Sequence, residues 1–413
     1  MIRTVPPGTV SSETVPGGAG LGRSHDQTRG SHMTRLNPFD HGGPVSGEHF
    51  AGRASEGAAV VSRLSNHIGV VVTAPRRYGK SSLIKQATEV LAASEPAPAI
   101  VHVNLLQAGT LGTAAELMVR RHYQVPGGPW HRLKNVLPGF VKRLRVQPTM
   151  TIDATGSPVF SFAPSVGTPD LQLVIDDVYA TLNEIGARRP AVLFLDEFQA
   201  AVELDTHLPR QLKALADQYR NVSLVLARSK QHVMEALVLS QGAPLYKMLE
   251  QIALGEIPVD DWVPFLVKRA RRGGRPFAEE GLARVVHEMA GPVPFDVQQL
   301  AYEAFNQADT TIERDTLEVA LSELVRHRAS DYATTFEGLP AGGRRVLKVL
   351  AAGTTASVGS AEFATLARLS DSSSVHKAVT QLIELELVVL RTGVPAIEDL
   401  FFAAWLRVVL DEH

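Results

Sequence analysis

Residues 70–84, which read VVVTAPRRYGKSSLI, constrain the fold of this chain more than any other stretch. Three β-branched apolar residues open it, a pattern typical of a buried strand. A loop containing Gly79 follows, and after it come Lys80, Ser81 and Ser82 at the start of a helical apolar spacing. The order of strand, loop, Gly-Lys-Ser and helix predicts a phosphate-binding P-loop.

The residues of this loop have distinct predicted roles. Its backbone N–H groups and the start of the helix would donate to phosphate oxygens. Gly79 permits close approach of the backbone, Lys80 would reach the β- and γ-phosphates, and the Ser81 hydroxyl would bind Mg²⁺. Ala74 departs from the pattern, which has glycine at that position. The predicted ATP-binding set in the loop is Ala74, Pro75, Arg76, Arg77, Tyr78, Gly79, Lys80, Ser81 and Ser82.

A second motif lies in residues 190–199, PAVLFLDEFQ. Four apolar residues predict a buried strand that ends at Asp196 and Glu197, the Walker B arrangement. Two carboxylates beside apolar residues are costly unless something uses them. We therefore expect Asp196 to hold Mg²⁺ and Glu197 to act as the general base, with Lys80 as the other catalytic residue. Because neighbouring strand residues point to opposite faces, the pair must lie where the strand ends.

Ser229 and the segment that contains Phe50, Gly52 and Arg53 each have two interpretations. Ser229 follows a third apolar strand, so it is a candidate sensor of the γ-phosphate; it could equally cap the helix predicted after it. Phe50, Gly52 and Arg53 precede the P-loop and would either wrap the nucleotide base or form a strap over the sheet edge. Arg53 is included among the predicted ATP-binding residues.

Composition narrows the classes of protein that the chain can belong to. Its 413 residues predict two or three domains, with 45% hydrophobic and 20% charged residues as in ordinary globular proteins. The net charge of −2 implies that any contact with nucleic acid is local. The lack of cysteine excludes disulfides, thiol catalysis and thiolate zinc sites. The same lack of cysteine suits a reducing cytoplasm, and we expect a cytoplasmic protein. No apolar run approaches the ~20 residues of a membrane span, so we expect no membrane contact.

The pattern of strands and helices predicts an α/β fold, in which a P-loop NTPase parallel sheet is sandwiched by helices and followed by two smaller domains. Residues 1–32 are rich in Gly, Ser, Pro and Thr, and we expect a disordered tail, with Met33 as a candidate true start. The other predicted domains are an ATPase core at 33–257 with an insertion at about 125–170 that contains a hairpin, a helical lid at 258–335 and a winged helix at 336–413.

The third helix of the predicted winged helix decides whether that domain reads DNA. Ser372–Ser374 would cap this helix, and Val375, Val379 and Leu382 would form its buried stripe. In a DNA-reading helix, the groove would be faced by His376, Lys377, Thr380 and Gln381. The same helix is predicted to carry Glu384 and Glu386, and the domain lacks a strongly basic face. The pattern therefore favours a structural or protein-contact role over DNA binding.

The segments APRRYGKSSLI, VLFLDEFQ and DVQQL, together with SKQHVMEALVLSQGAPLYKMLEQIALGEIP, resemble the archaeal-type ATPases with a C-terminal winged helix. These belong to the AAA+-related, signal-transduction-like branch of P-loop NTPases. The resemblance covers residues 37–410 and implies ATP binding, a lid and a winged helix; the family also commonly has alanine at the position of Ala74. Two departures concern hydrolysis: Arg228 replaces a glycine, and Pro292-Val293-Pro294 replaces Gly-His-Pro. No arginine finger can be assigned.

The resemblance and the motifs together predict an ATP- and Mg²⁺-dependent ATPase that acts as a conformational switch and is a candidate for self-association. Two alternatives remain open. One is a nucleotide-gated scaffold with little hydrolysis, and the other is a DNA-associated regulator that acts through the winged helix.

Overall fold

A parallel sheet forms the centre of the N-terminal half of the protein. The computed structural model describes residues 36–123, 146–152, 158–164, 171–228, 238 and 240–411, and residues 37–413 form one compact unit. The strands are β1 (Val70–Thr73), β2 (Ala99–Asn104), β3 (Val146–Ile152), β4 (Pro158–Pro164), β5 (Ala191–Asp196), β6 (Ser223–Arg228), β7 (Glu250–Ala253), β8 (Val388–Arg391) and β9 (Val394–Ile397). The sheet has the order β2-β5-β6-β1-β7 with parallel pairing, which confirms the predicted fold.

Helices cover both faces of this sheet. Val70 and Val72 in β1 pack with the helices on one face, and Val71 packs with those on the other, as the alternation of a strand requires. β1 is buried on both faces, which explains its unbroken apolar sequence. Within the described residues, the α-helices of this half are α1 (Ala54–Ser65), α2 (Lys80–Ala92), α3 (Leu111–Tyr123), α4 (Leu171–Gly186), α5 (Gln199–Leu204) and α6 (Leu208–Gln218).

The C-terminal half is mostly helical. Its first four helices are α7 (Val259–Gly273), α8 (Gly281–Ala290), α9 (Pro294–Gln307) and α10 (Arg314–Glu337). The remaining ones are α11 (Ala341–Ala351), α12 (Ala361–Leu366), α13 (Ser372–Glu384) and α14 (Leu400–Asp411), with the hairpin β8–β9 between α13 and α14. The two sets share one hydrophobic cluster, and α10 continues through residue 335. The division of the chain at that residue therefore remains a prediction.

The structure differs from two details predicted for the winged helix. Asp371, and not Ser372–Ser374, caps α13, because the Asp371 carboxylate accepts from the Ser374 backbone N–H at 2.8 Å. The serines instead occupy the first turn. Glu386 lies beyond the end of α13 with φ of 59°, so it does not extend the exposed face of that helix.

The predicted hairpin in the insertion is confirmed by the antiparallel pairing of β3 and β4. The predicted tail at 1–32 and Met33 lie outside the described residues, as do Ser229 and most of the helix expected after it. The short helix α5, directly after the Walker B motif, was not predicted. Among the described residues, no helix combines the length and apolar character needed to cross a membrane.

Candidate nucleotide-binding site

The loop between β1 and α2 has the backbone form of a phosphate cradle. Gly79 precedes the helix with φ of 87°, and a Cβ placed there would meet only the Ser82 Cβ, at 4.0 Å. The torsion, rather than a lack of space, is therefore what favours glycine. Arg77 also has positive φ, 68°, which is rare for a residue with a side chain. The neighbouring contacts thus hold the loop in an unusual conformation.

Lys80 is buried at the mouth of this loop. Its Nζ donates to the carbonyl oxygens of Ala74 and Pro75, at 3.0 and 2.9 Å. Burial lowers the pKa of Lys80, while the charges of Glu197 and Asp196 raise it. The ammonium group is thus positioned by the loop that it closes, beside the two acidic residues of the second motif.

Ser81 and Asp196 meet although they are 115 positions apart in the chain. The Ser81 hydroxyl donates to Oδ2 of Asp196 at 2.9 Å. Burial raises the pKa of the Asp196 carboxyl, and the hydrogen bond from Ser81 opposes that rise. A hydroxyl and a carboxylate are hard oxygen ligands of the kind that Mg²⁺ prefers. This pair therefore fits the predicted metal ligands, and it joins the P-loop to the end of β5.

Glu197 lies just beyond β5, as expected from the alternation of strand side chains. Its φ of 53° turns the chain away from the strand, and its backbone N–H donates to the Asp196 carboxylate at 3.0 Å. The Gln199 amide donates to the Glu197 side chain. Because the turn separates the two acids, Asp196 faces Ser81 while Glu197 faces the adjacent cavity. These positions suit different roles for the two carboxylates.

Arg53 is hydrogen-bonded to the backbone of the loop. Its guanidinium is buried and donates to the carbonyl oxygens of Tyr78 and Gly255, at 3.3 and 2.7 Å, and it pairs with Glu56 at 3.2 Å. Arg53 lines the cavity beside the P-loop, but the contacts of its guanidinium are with the protein itself. The role of Arg53 in binding the nucleotide directly remains a prediction.

A cavity of about 500 Å³ opens beside the P-loop. This volume suits a small-molecule ligand. The cavity brings together three parts of the chain: the segment before α1, the P-loop with Glu197, and the helices α7 and α9 of the helical half. Its walls include Asp40, His41 and Phe50 from the first part, Arg76–Ser82 and Glu197 from the second, and Trp262, Pro294, Phe295 and Gln298 from the helical half. The aromatic side chains of the walls suit a nucleotide base.

The segment before α1 is attached to the helical half by a buried arginine that sequence reasoning missed. Arg269 in α7 donates to the Pro38 carbonyl at 2.8 Å and pairs with Glu48 at 3.1 Å. Phe39 is buried and packs edge-on against Phe305. No motif identifies Arg269; an arginine within a buried helical stripe is the only signal. This attachment holds one wall of the cavity in place.

A charged network, also missed, continues from the P-loop to the winged helix. Arg77 lies 3.9 Å from the buried Asp296 at the start of α9, and Arg328 lies 3.7 Å from the same carboxylate. Arg328 also lies 3.6 Å from Asp399, to which the Tyr332 hydroxyl donates at 3.1 Å. Asp399 accepts from two backbone N–H groups at the start of α14. The network therefore reaches the last helix of the chain.

Two buried acids at this place, Asp296 and Glu398, have raised pKa values. Burial, and then the charge of Asp399, raise the pKa of Asp296 to about 7, against the lowering effect of Arg328 and Arg77. Burial and the charge of Glu386 raise the pKa of Glu398 to about 7. A second cavity of about 350 Å³ is lined by Arg76, Arg77 and these acids. The P-loop arginines thus border both the nucleotide cavity and the winged helix.

Ser229 lies outside the described residues, so its role as a sensor stays a prediction, and of Arg228 only the backbone at the end of β6 is described. His102 in β2, which sequence reasoning did not select, stacks on Phe194 with ring centroids 4.2 Å apart. Its Nε2 lies 4.0 Å from Oδ2 of Asp196. His102 therefore borders the predicted metal ligand from the next strand.

Comparison with known proteins gives one family model and several solved structures. Residues 330–408 match the model of a "Probable winged helix domain". A Walker-type ATPase of Pyrococcus abyssi superposes with a TM-score of 0.60 at 15% identity, covering 90% of this chain and 99% of that one. The ORC2 protein of Aeropyrum pernix, in ADPNP and ADP complexes, has a TM-score of 0.54 at 17% identity, covering 92% and 97%. Curated protein sequences show no significant match.

These likenesses confirm the predicted architecture. The chain has the fold of the archaeal Walker-type ATPases, a P-loop core followed by helices and a C-terminal winged helix. At this level of identity the likeness concerns the fold, and the site must be argued from its own residues.

Proposed function

We propose that this protein binds ATP with Mg²⁺, hydrolyses it, and uses the nucleotide as a conformational switch. One observation carries the proposal. Ser81 and Asp196, from two motifs 115 positions apart, are hydrogen-bonded at 2.9 Å beside the buried Lys80. Lys80 suits the phosphates of a nucleoside triphosphate, and the oxygen ligands of Ser81 and Asp196 at the ends of parallel strands suit its metal.

Each polar group at the site would contribute a separate effect. Lys80 would exchange the carbonyls of Ala74 and Pro75 for phosphate oxygens, which give stronger charge-assisted hydrogen bonds. Ser81 and Asp196 would hold Mg²⁺, which neutralises phosphate charge when bound. Glu197 would accept a proton from the attacking water, with Gln199 orienting its carboxylate.

The network from Arg77 to Asp399 supports the switch. Arg77 belongs to the P-loop, Asp296 and Arg328 to the helical half, and Asp399 caps the last helix. A phosphate bound at the loop would compete with Asp296 for the Arg77 guanidinium. Nucleotide binding and the position of the winged helix would then share a coupling free energy, typically of about 1–3 kcal/mol.

The decisive experiment compares ATP binding and phosphate release in the wild type and in Glu197→Gln. We expect the variant to keep the wild-type affinity and to lose turnover by about 10²- to 10⁴-fold, the usual contribution of a general base. Glu203→Gln, an exposed acid on the adjacent α5, is the matched control and should retain turnover. Unchanged phosphate release in Glu197→Gln would exclude this mechanism.

The same experiment separates the nucleotide-gated scaffold from the enzyme. Tight ATP binding by a wild type whose phosphate release equals that of buffer would establish the scaffold. The predicted DNA-reading side chains His376, Lys377, Thr380 and Gln381 are exposed on α13, but Glu384 is exposed on the same helix. DNA binding by that helix, like self-association, stays a prediction.

A further inference from the structure

A basic surface lies on the winged helix, and no residue of α13 lines it. It comprises Arg344, Arg345 and Lys348 on α11 and Arg368 after α12, and these four residues border an open cavity of about 870 Å³. No acidic residue lines the cavity. Among the described residues, none of the four cations lies within ion-pair distance of a carboxylate. We call this surface the α11 groove.

The α11 residues of the groove recur with the spacing of one helical face. They occupy positions 341, 344, 345, 348, 349 and 352, while Val346, Leu347 and Ala351 are buried on the opposite face. This face is only partly covered: Val349 packs against the core and the Arg345 guanidinium donates to the Arg368 carbonyl at 2.8 Å, while Ala341, Arg345 and Ala352 stay exposed. Such a face can accept a helix or an extended segment laid along it.

The floor of the groove is apolar, and this decides which kind of partner fits. Leu366 is 50% exposed, although it is a large apolar residue on a short helix. Phe336 and Val349, both partly buried, line the same cavity, and the Lys348 ammonium lies 5.9 Å from the Phe336 ring centroid. A phosphate backbone would satisfy the cations but leave this apolar floor in water. A polypeptide with acidic and large apolar side chains would cover both.

We propose that the α11 groove binds an acidic polypeptide segment that carries at least one large apolar side chain. Carboxylates of the segment pair with the four cations, and the apolar side chain covers Leu366 beside Phe336. This interaction surface is independent of the nucleotide cavity, since none of its lining residues borders that cavity.

Selection from a displayed library of short random peptides against the full-length chain tests the proposal. We expect the enriched peptides to be acidic and to contain Leu, Phe or Trp. Fluorescence anisotropy of one labelled, enriched peptide should then show a loss of affinity of at least about tenfold in the triple variant Arg344→Glu, Arg345→Glu, Lys348→Glu. Leu366→Ser should weaken binding several-fold on its own, which separates the apolar contribution from charge.

Matched controls keep the result interpretable. The triple variant Arg210→Glu, Lys213→Glu, Arg220→Glu makes the same change in charge at exposed positions of the N-terminal half. It should bind the peptide like the wild type. If the α11 triple variant does not fold, the pair Arg345→Glu and Arg368→Glu, both exposed, replaces it.

Three outcomes would overturn the proposal. In the first, the selection enriches no peptide. In the second, the enriched peptides bind both triple variants equally. In the third, random-sequence duplex DNA binds the groove more tightly than the peptide and displaces it. The third outcome would make the surface a nucleic-acid site instead. ATP binding measured in the same variants should be unchanged, so failure here is distinguishable from failure of the proposed ATPase function.

Discussion

Arg77 in the P-loop and Asp296 at the start of α9 lie 3.9 Å apart, and the Asp296 carboxylate is almost fully buried. The Arg77 guanidinium also lies 5.0 Å from the ring centroid of Phe295, the preceding residue of the same helix. A loop expected to contact phosphate is thus tied to the helical half by both charge and an aromatic ring. Changing the ionisation of Asp296 therefore tests the contact between the P-loop and the helical half.

We predict that Asp296→Asn reduces the pH dependence of stability. A carboxyl whose pKa is raised from 3.8 to about 7 takes up a proton on folding, so its contribution to stability falls as pH rises through that range. Between about pH 5 and pH 8, the wild type should lose up to about 3 kcal/mol of unfolding free energy through this group, and Asp296→Asn should not. Urea unfolding at both pH values measures the difference.

The exposed Asp260 provides the control for that measurement, because Asp260→Asn should keep the wild-type pH dependence. Glu398, whose pKa is also about 7, contributes with the same sign and is unchanged in both variants. An identical loss of stability with pH in Asp296→Asn and the wild type would contradict the assignment.

Lys80→Ala should weaken ATP binding at least about tenfold, because the buried ammonium group would lose its charge-assisted contact with phosphate. Lys85→Ala, on the same helix, removes an exposed ammonium that donates to the Pro44 carbonyl instead. Isothermal titration calorimetry should find the affinity of Lys85→Ala close to that of the wild type. Equal losses in the two variants would indicate a general electrostatic effect rather than a specific phosphate contact.

Ser81 and its neighbour Ser82 provide a test and a control for the predicted Mg²⁺ ligand. Ser81 donates to Asp196, whereas the Ser82 hydroxyl accepts from the Val45 backbone N–H at 3.1 Å. Mg²⁺ should raise the ATP affinity of the wild type. In Ser81→Ala we expect this increase to be about tenfold smaller, because one metal ligand is lost. Ser82→Ala should keep that gain. Binding measured with Mg²⁺ and with EDTA distinguishes the two, and an undiminished Mg²⁺ effect in Ser81→Ala would remove it from the ligand set.

Arg269→Ala should destabilise the protein by roughly 2–4 kcal/mol, since the buried guanidinium holds the Pro38 carbonyl and Glu48 together. Arg269→Lys keeps the charge but not the planar fork, so an intermediate loss is expected. Urea unfolding measures both. Arg269→Ala should also weaken ATP binding, because Asp40 and His41, just after Pro38, line the nucleotide cavity. A variant as stable as the wild type would show that the other contacts of the segment, such as those of Asn37 and Phe39, hold it without Arg269.

Local patterns were sufficient to predict the parallel sheet, the P-loop and the Walker B strand. An unbroken β-branched run such as residues 70–72 has few alternatives to a buried strand, and the glycine loop after it must turn before α2. Because carboxyl ends of parallel strands lie at one edge, Ser81 and Asp196 could be expected to meet. The capping of α13 by Asp371 was missed because an Asp-Ser-Ser-Ser sequence contains several competent caps.

Local sequence patterns therefore indicated most of the strands and helices, though not α5. They also placed Lys80 and Ser81 at the start of α2 and Asp196 at the end of β5. Local patterns could not show that Arg77 faces Asp296, that Arg269 holds the Pro38 carbonyl, or that one face of α11 stays partly exposed; these follow from the packing of the folded chain. These contacts join residues far apart in the chain, and their charges have no periodicity. Which cation meets which carboxylate depends on how the helices pack, because that packing sets both the distances and the burial that shift the pKa of Asp296.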